Sequence, residues 1–172
     1  MKKRTRELVW AAVLAALYVA LNCAQNVLLP GTTSLAIQFR VAEALCVFAM
    51  FTPSAIYGLS VGCLLYNLTY AGALPLDFFV GTAATLISTL LMYRLRELRI
   101  RRYPLLALMM PVVFNSIFVG AELTIFIDEL PLWLNMLYVG IGEAAVMLVL
   151  GSALYYTFSA PKLHRALFGE RS

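Results

Sequence analysis

Charged and amide side chains inside long apolar stretches are the groups of this sequence most able to bind a polar ligand. Arg40 and Glu43 lie three residues apart, so a helix would place them on one face. No formal charge occurs from Leu8 to Phe39 or from Ala44 to Leu76. The other candidates are Asn67, Asn115, Glu122 and Glu143. Carboxylates accept hydrogen bonds and attract cations, whereas arginine and amide groups donate.

Burial of charged side chains in a bilayer costs free energy, so each is expected to have a partner. A charge at the centre of a membrane costs about 2.5–3.5 kcal/mol on insertion scales. Arg40 and Glu43 therefore pair with each other as a structural ion pair, or face protein, water or a ligand. Asn67 and Asn115 either bind the ligand or form hydrogen bonds between helices.

Glu122 and Glu143 are harder to explain as structural residues. Arg40 is the one basic residue within the apolar segments. The two glutamates are therefore protonated, or a cationic ligand, a cation or water neutralises them. We expect at least one of them to be functional, because an unpaired carboxylate in a membrane is expensive.

The composition defines the environment of these groups. The 172-residue chain is 62% hydrophobic and 13% charged, with a mean hydropathy of +0.85, whereas ordinary soluble domains are about 25% charged. Its uncharged runs exceed the roughly 20 residues that cross a bilayer. The sequence predicts an all-α membrane protein, one integral membrane domain over residues 1–172.

Prolines, glycines and charges divide the chain into six predicted spans. Pro30-Gly31, Thr52-Pro53 and Asp128-Glu129 mark three of the turns. The predicted spans cover approximately residues 8–29, 37–51, 54–70, 77–93, 105–127 and 131–158. Asp77 is the expected start of the fourth span, and Pro131 opens the sixth.

The basic residues support this count. Six spans put the two termini and the loop 94–103 on one side, together with twelve of the thirteen basic residues. Cytoplasmic loops carry the excess of lysine and arginine, so both termini are expected to be cytoplasmic. The net charge of +4 then reflects topology and not nucleic-acid binding. Counted inward at about 1.5 Å per residue, the six candidate site residues lie in the outer half of the bundle.

The sequence lacks the residues that several other functions require. His164 is the single histidine and lies in the tail, so neither a histidine metal site nor a Ser–His hydrolase is expected. The sequence contains no phosphate loop with Gly-Lys-Ser/Thr. Nothing predicts an enzyme, a cofactor or a bound metal.

Small residues form two smooth helix faces. Ala11, Ala12, Ala15 and Ala16 lie on the first predicted helix, and Gly58 and Gly62 on the third. Such faces let helices approach closely. They either pack inside this bundle or dock another membrane protein.

Several motifs resemble one known family. They are FRVAEAL at 39–45, FTPSA at 51–55, GCLLYN at 62–67 and DFFVGTAAT at 77–85. With the basic N-terminus and alanine-rich first helix, these segments look like the QueT family. Its members are substrate-binding S components of energy-coupling factor transporters, assigned to the uptake of queuosine precursors.

The resemblance implies a partner set and a ligand. An S component resides in the cell membrane, binds its micronutrient at the outer face, and joins a transmembrane coupling subunit and two cytoplasmic ATPase subunits. The alanine face would contact the coupling subunit. The six candidate residues would surround a 7-deazaguanine base, with the loop Gly31–Gln38 closing over it. If the base carries an aminomethyl group, Glu122 or Glu143 would supply its anionic partner. Alternatives are an S component for another vitamin, or a proton-coupled secondary transporter that uses the same glutamates.

Overall fold

The computed structural model describes residues 3–32, 39–70, 76–101, 103–127 and 130–168. The elements are α1 (Lys3–Leu28), a 3₁₀ helix (Val41–Met50), α2 (Ser54–Thr69), α3 (Asp77–Leu95), α4 (Leu105–Phe126), α5 (Leu132–Val146), a π-helical turn (Met147–Gly151), α6 (Ser152–Ser159) and α7 (Pro161–Phe168). Within these ranges the one non-helical pairing is an isolated bridge between Ile100 and Tyr103. The prediction of an all-helical protein is confirmed.

Four helices of the described chain are long and apolar enough to cross a membrane. They are Arg4–Leu28, Asp77–Leu95, Leu105–Phe126 and Leu132–Ser159, the last of which joins α5, the π-helical turn and α6. Helix α2 has 16 residues, or about 24 Å at the usual rise, which is short of the roughly 30 Å hydrocarbon core. The 3₁₀ helix has ten residues.

Two elements differ from the prediction. The second predicted span, 37–51, is a 3₁₀ helix that begins at Val41 and ends at Met50. The tail after the sixth predicted span, for which no helix was predicted, contains α7. The segments 33–38, 71–75 and 128–129, which include the predicted closing loop and two predicted turns, lie outside the described residues.

The 3₁₀ helix occupies the centre of the bundle. Its residues from Ala42 to Met50 are all buried, and it packs against α1 through α6. A helix that is apolar on every side is stable only when surrounded. Its polar end, at Arg40 and Glu43, is thereby held inside the protein.

The pair of glycines on α2 packs against α1. A Cβ atom at Gly62 would lie 2.9 Å from the carbonyl oxygen of Ala15, and one at Gly58 would collide with the backbone of Ala11. Glycine is needed at both positions because only a residue without Cβ lets the two backbones approach this closely. The glycine face therefore serves internal packing.

Helix α7 folds back over the far end of the 3₁₀ helix. The ring of Phe168 lies 5.2 Å from that of Trp10 and 5.3 Å from that of Phe51, measured between centroids. Arg6 Nη2 donates a hydrogen bond to the carbonyl oxygen of Phe168 over 2.7 Å. An aromatic cluster thus joins α1, the 3₁₀ helix and α7.

Candidate functional site

Arg40 is tied to the start of α3 by an ion pair. Its Nη2 atom lies 3.9 Å from Oδ1 of Asp77, and both side chains are about one-tenth exposed. Asp77 is the first residue of α3, where the helix dipole favours a negative charge. Arg40 therefore pairs with Asp77, and the alternative of a structural ion pair with Glu43 is not the one found.

Asn67, which lies on α2, forms a hydrogen bond to the same residue, Asp77. Its Nδ2 donates to the backbone oxygen of Asp77 over 2.9 Å. Gly81 provides the space, because a Cβ atom there would lie 2.8 Å from Asn67 Nδ2 and 3.8 Å from Arg40 Nη1. Asn67 thus forms a hydrogen bond from α2 to α3, which is the structural alternative to ligand binding given for it above.

Glu43 receives its hydrogen bonds from α1 and from its own 3₁₀ helix. It is 1% exposed and accepts a hydrogen bond from the Tyr18 hydroxyl on α1. The Cys46 thiol lies 3.2 Å from Glu43 Oε2. Because both carboxyl oxygens are already engaged within the protein, Glu43 is better placed to shape the site than to bind a ligand alone.

Glu122 has no such partners. It is 2% exposed, and neither of its carboxyl oxygens has a hydrogen-bond partner among the described residues. Its carboxyl group approaches that of Asp77 closely enough to share a proton, and it lies within electrostatic range of Arg40. Two carboxylates repel when both are ionised, so this pair either shares a proton or holds a cation.

Glu143 and Asn115 form a second pair with unused hydrogen-bonding capacity. Glu143 is 1% and Asn115 is 2% exposed, and their side chains face each other. Glu143 Oε2 and Asn115 Nδ2 each lack a hydrogen-bond partner in the described chain. Glu143 is also within electrostatic range of Glu43 and Arg40. A buried donor and a buried acceptor therefore face each other without a hydrogen bond of normal length between them.

These contacts bring the six predicted residues into one cluster around the Arg40 guanidinium. The structure adds two residues that the sequence analysis did not assign to the site, Tyr18 and Asp77. Leu14, Tyr18 and Asn22 recur every four residues on the buried face of α1, a spacing that indicates a packed helix face but does not place Tyr18 beside Glu43. Asp77 was assigned only as a helix start, and its side-chain role depends on the fold of α3 against Arg40.

The ends of the segment 33–38 are fastened together by Gln25. Its Nε2 donates to the Phe39 carbonyl oxygen, and its Oε1 accepts from the Val41 amide at 3.0 Å. The Phe39 amide also donates to the Thr32 carbonyl oxygen over 2.9 Å. The segment therefore begins and ends beside the charged cluster.

The four alanines assigned to partner docking separate into two pairs. Ala11 and Ala15 are partly buried and contact Gly58 and Gly62. Ala12 and Ala16 are exposed. Part of the alanine face thus packs inside the bundle, and part of it is open.

The fold and this cluster define a helical membrane protein with a buried polar site among its helices. A family model described as QueT transporter matches residues 8–160, which is most of the chain. The protein belongs to the QueT transporter family.

A curated relative supports the same assignment over a shorter length. The chain is 34% identical over 89 residues to the queuosine precursor transporter QueT of Lactococcus lactis subsp. cremoris (strain MG1363). The match covers 50% of this chain and 48% of that relative, so the chain spans about half the length of the relative. No solved structure matches the chain.

Proposed function

We propose that this protein is the high-affinity substrate-binding S component of an energy-coupling factor importer, and that it takes up a queuosine precursor built on a 7-deazaguanine base. Membership of the QueT transporter family supports transport. The observation that carries the proposal is the buried cluster around Arg40, in which Glu122 and Glu143 retain unused oxygens.

The cluster has the chemistry that such a base requires. A 7-deazaguanine presents neighbouring N–H donors on its guanine-like edge, and a carboxylate can accept two of them. Its carbonyl oxygen needs a donor, which Asn115 Nδ2 or Arg40 can supply. In this proposal the ligand is surrounded by Arg40, Glu43, Asn67, Asn115, Glu122 and Glu143, with Asp77 and Tyr18 holding Arg40 and Glu43 in place.

The proposed topology is six spans with both termini in the cytoplasm and the cluster near the outer face of the cell membrane. The 3₁₀ helix and α2 would be the second and third spans. The short length of the 3₁₀ helix is compatible with its central position, because neighbouring helices and not lipid surround it. Labelling of cysteines introduced at Glu97 and Lys162 by a membrane-impermeant reagent tests this topology, and both positions should react only after the membrane is opened.

The proposed partners are a transmembrane coupling subunit and two ATPases. Ala12 and Ala16 are exposed small residues of α1 and would allow close approach of a helix. Ala12→Leu and Ala16→Leu should weaken co-purification with the coupling subunit. Ala145→Leu, at an exposed position of α5, is the matched control and should leave assembly unchanged.

The decisive experiment is calorimetric titration of the purified protein. The ligands are 7-cyano-7-deazaguanine, 7-aminomethyl-7-deazaguanine and queuine, with folate, thiamine and biotin as controls. Selective submicromolar binding of a deazaguanine without ATP or a proton gradient is the expected result. Binding of a control vitamin instead would keep the S-component class and overturn the substrate.

The second candidate is a proton-coupled secondary transporter, favoured by the same unpartnered glutamates. It would move substrate in vesicles in response to a proton gradient and without ATPase subunits. Failure of every ligand to bind, together with gradient-driven transport, would replace the S-component proposal by this one.

A further inference from the structure

We propose that the cluster selects a ligand with an ammonium group, and that Glu122 with Asp77 binds this group while Asn115 with Glu143 binds the edge of the base. The assignment rests on the proposed function. It favours 7-aminomethyl-7-deazaguanine and queuine, which carry amines, over 7-cyano-7-deazaguanine, which is neutral.

The first argument is the balance of charge. The cluster contains one guanidinium, that of Arg40, and four carboxyl groups, those of Glu43, Asp77, Glu122 and Glu143. Each of the four is at least nine-tenths buried. One guanidinium cannot offset four ionised acids, so the acids in excess of it either bind protons or are neutralised by a cationic ligand. A cationic ligand that replaces those protons gains an attraction that a neutral ligand does not.

The second argument is the geometry at Glu122. Its two oxygens meet no N–H or hydroxyl donor in the described part of the chain, and the side chain that approaches them closely enough to share a proton is the carboxyl group of Asp77. Asp77 is already paired with Arg40 on its other side. An ammonium group brings three donors and no acceptor, which fits a place where acceptors converge. A nitrile brings only an acceptor and would meet these oxygens unfavourably.

The third argument is the different character of the Asn115–Glu143 pair. It offers one unused donor, Asn115 Nδ2, beside one unused acceptor, Glu143 Oε2. An ammonium group could use only the acceptor. The edge of a guanine-like base, which has a carbonyl oxygen next to N–H groups, uses both. The Asn115–Glu143 pair therefore binds the base of the ligand, and the Glu122–Asp77 pair binds its amine.

The test compares ligands that differ in charge at one position. Wild-type protein is titrated with 7-aminomethyl-7-deazaguanine, with its N-acetyl derivative and with 7-cyano-7-deazaguanine. The amine should bind at least about tenfold more tightly than either neutral compound, as expected for a hydrogen bond between charged groups.

Variants then locate the amine. Glu122→Gln should weaken binding of the aminomethyl compound by about tenfold or more and change binding of the cyano compound by less than about threefold. Glu122→Asp, which keeps the charge, should restore most of the preference. Glu97→Gln, at an exposed acidic residue, is the control and should bind as wild type does. Gel filtration and the thermal midpoint of each variant show whether it is folded.

The outcomes separate this inference from the proposed function. Equal affinity for the amine and the nitrile would overturn the charge selectivity and leave a deazaguanine S component. An equal loss for both ligands in Glu122→Gln would overturn the assignment of the amine to Glu122. Absence of binding by all three compounds would overturn the proposed function itself.

Discussion

Arg40 Nη2 lies 3.9 Å from Asp77 Oδ1, and this ion pair joins the start of the 3₁₀ helix to the first turn of α3. The guanidinium also lies within electrostatic range of Glu43, Glu122 and Glu143. The Arg40 guanidinium is thus the neighbouring positive charge of four acidic groups. Its loss should have larger consequences than the loss of any single acid.

Replacement of Arg40 tests this arrangement. Arg40→Gln leaves the surrounding acids without a cation and should lower the free energy of unfolding by about 3–5 kcal/mol, as for other broken buried pairs. Asp77→Asn should cost less, because it also removes the repulsion between Asp77 and Glu122. Thermal unfolding in detergent measures both. Glu97→Gln, at an exposed residue paired with Arg96, should cost about 1 kcal/mol or less. A larger loss for Asp77→Asn than for Arg40→Gln would contradict the shared role.

Removal of the Tyr18 hydroxyl tests how Glu43 is held. Tyr18→Phe deletes the hydrogen bond to Glu43 and leaves a buried carboxyl oxygen without its donor, which should cost about 1–3 kcal/mol. It should also weaken binding of the proposed ligand. Tyr57→Phe, at a residue that is 68% exposed, is the control. Unchanged stability and affinity in Tyr18→Phe would show that Glu43 does not depend on α1.

A methyl group at Gly58 tests the contact between α1 and α2. Gly58→Ala would place a Cβ atom against the Ala11 backbone, which cannot move aside, and overpacking of this kind costs about 1–3 kcal/mol. In Gly151→Ala the nearest atom is the flexible Met147 methyl, at 3.2 Å. This control should retain a nearly unchanged thermal midpoint. Equal midpoints for the two variants would argue against close packing of the helices.

Truncation of one aromatic ring tests the docking of α7. Phe168→Ala removes the stacking against Trp10 and Phe51 and should lower stability by about 3 kcal/mol or somewhat less, since the ring is only partly buried. The tail should also become more accessible to protease. Phe79→Ala, at a ring that is 65% exposed, provides the comparison. Protease resistance equal to that of wild type would contradict the docking of α7.

The candidate site was largely predictable because charge is expensive in apolar sequence. That rule alone identified Arg40, Glu43, Glu122 and Glu143, and the fold brings them together. Their partners were not predictable, because Tyr18 is 25 residues from Glu43 and Asp77 is still further along the chain from Arg40. A distance in sequence of this size carries no information on contact.

Two elements escaped prediction for local reasons. The segment Val41–Met50 is apolar on every side, so its pattern has no period that could distinguish a 3₁₀ helix from an α-helix. Helix α7 has eight residues and owes its stability to contacts with Trp10 and Phe51 rather than to its own sequence.

The pitch of the 3₁₀ helix has a consequence for how polarity is distributed through the bundle. With three residues per turn, side chains three apart stand in one vertical column, and Glu43, Cys46 and Ala49 form such a column. Its members pass from carboxylate to thiol to methyl over about 12 Å at the 3₁₀ rise of about 2.0 Å per residue. A looser winding would rotate them onto different faces. The column is therefore a steep polarity gradient along the 3₁₀ helix, with the carboxyl group at the end near Arg40 and the methyl group at the end near Phe51 and α7.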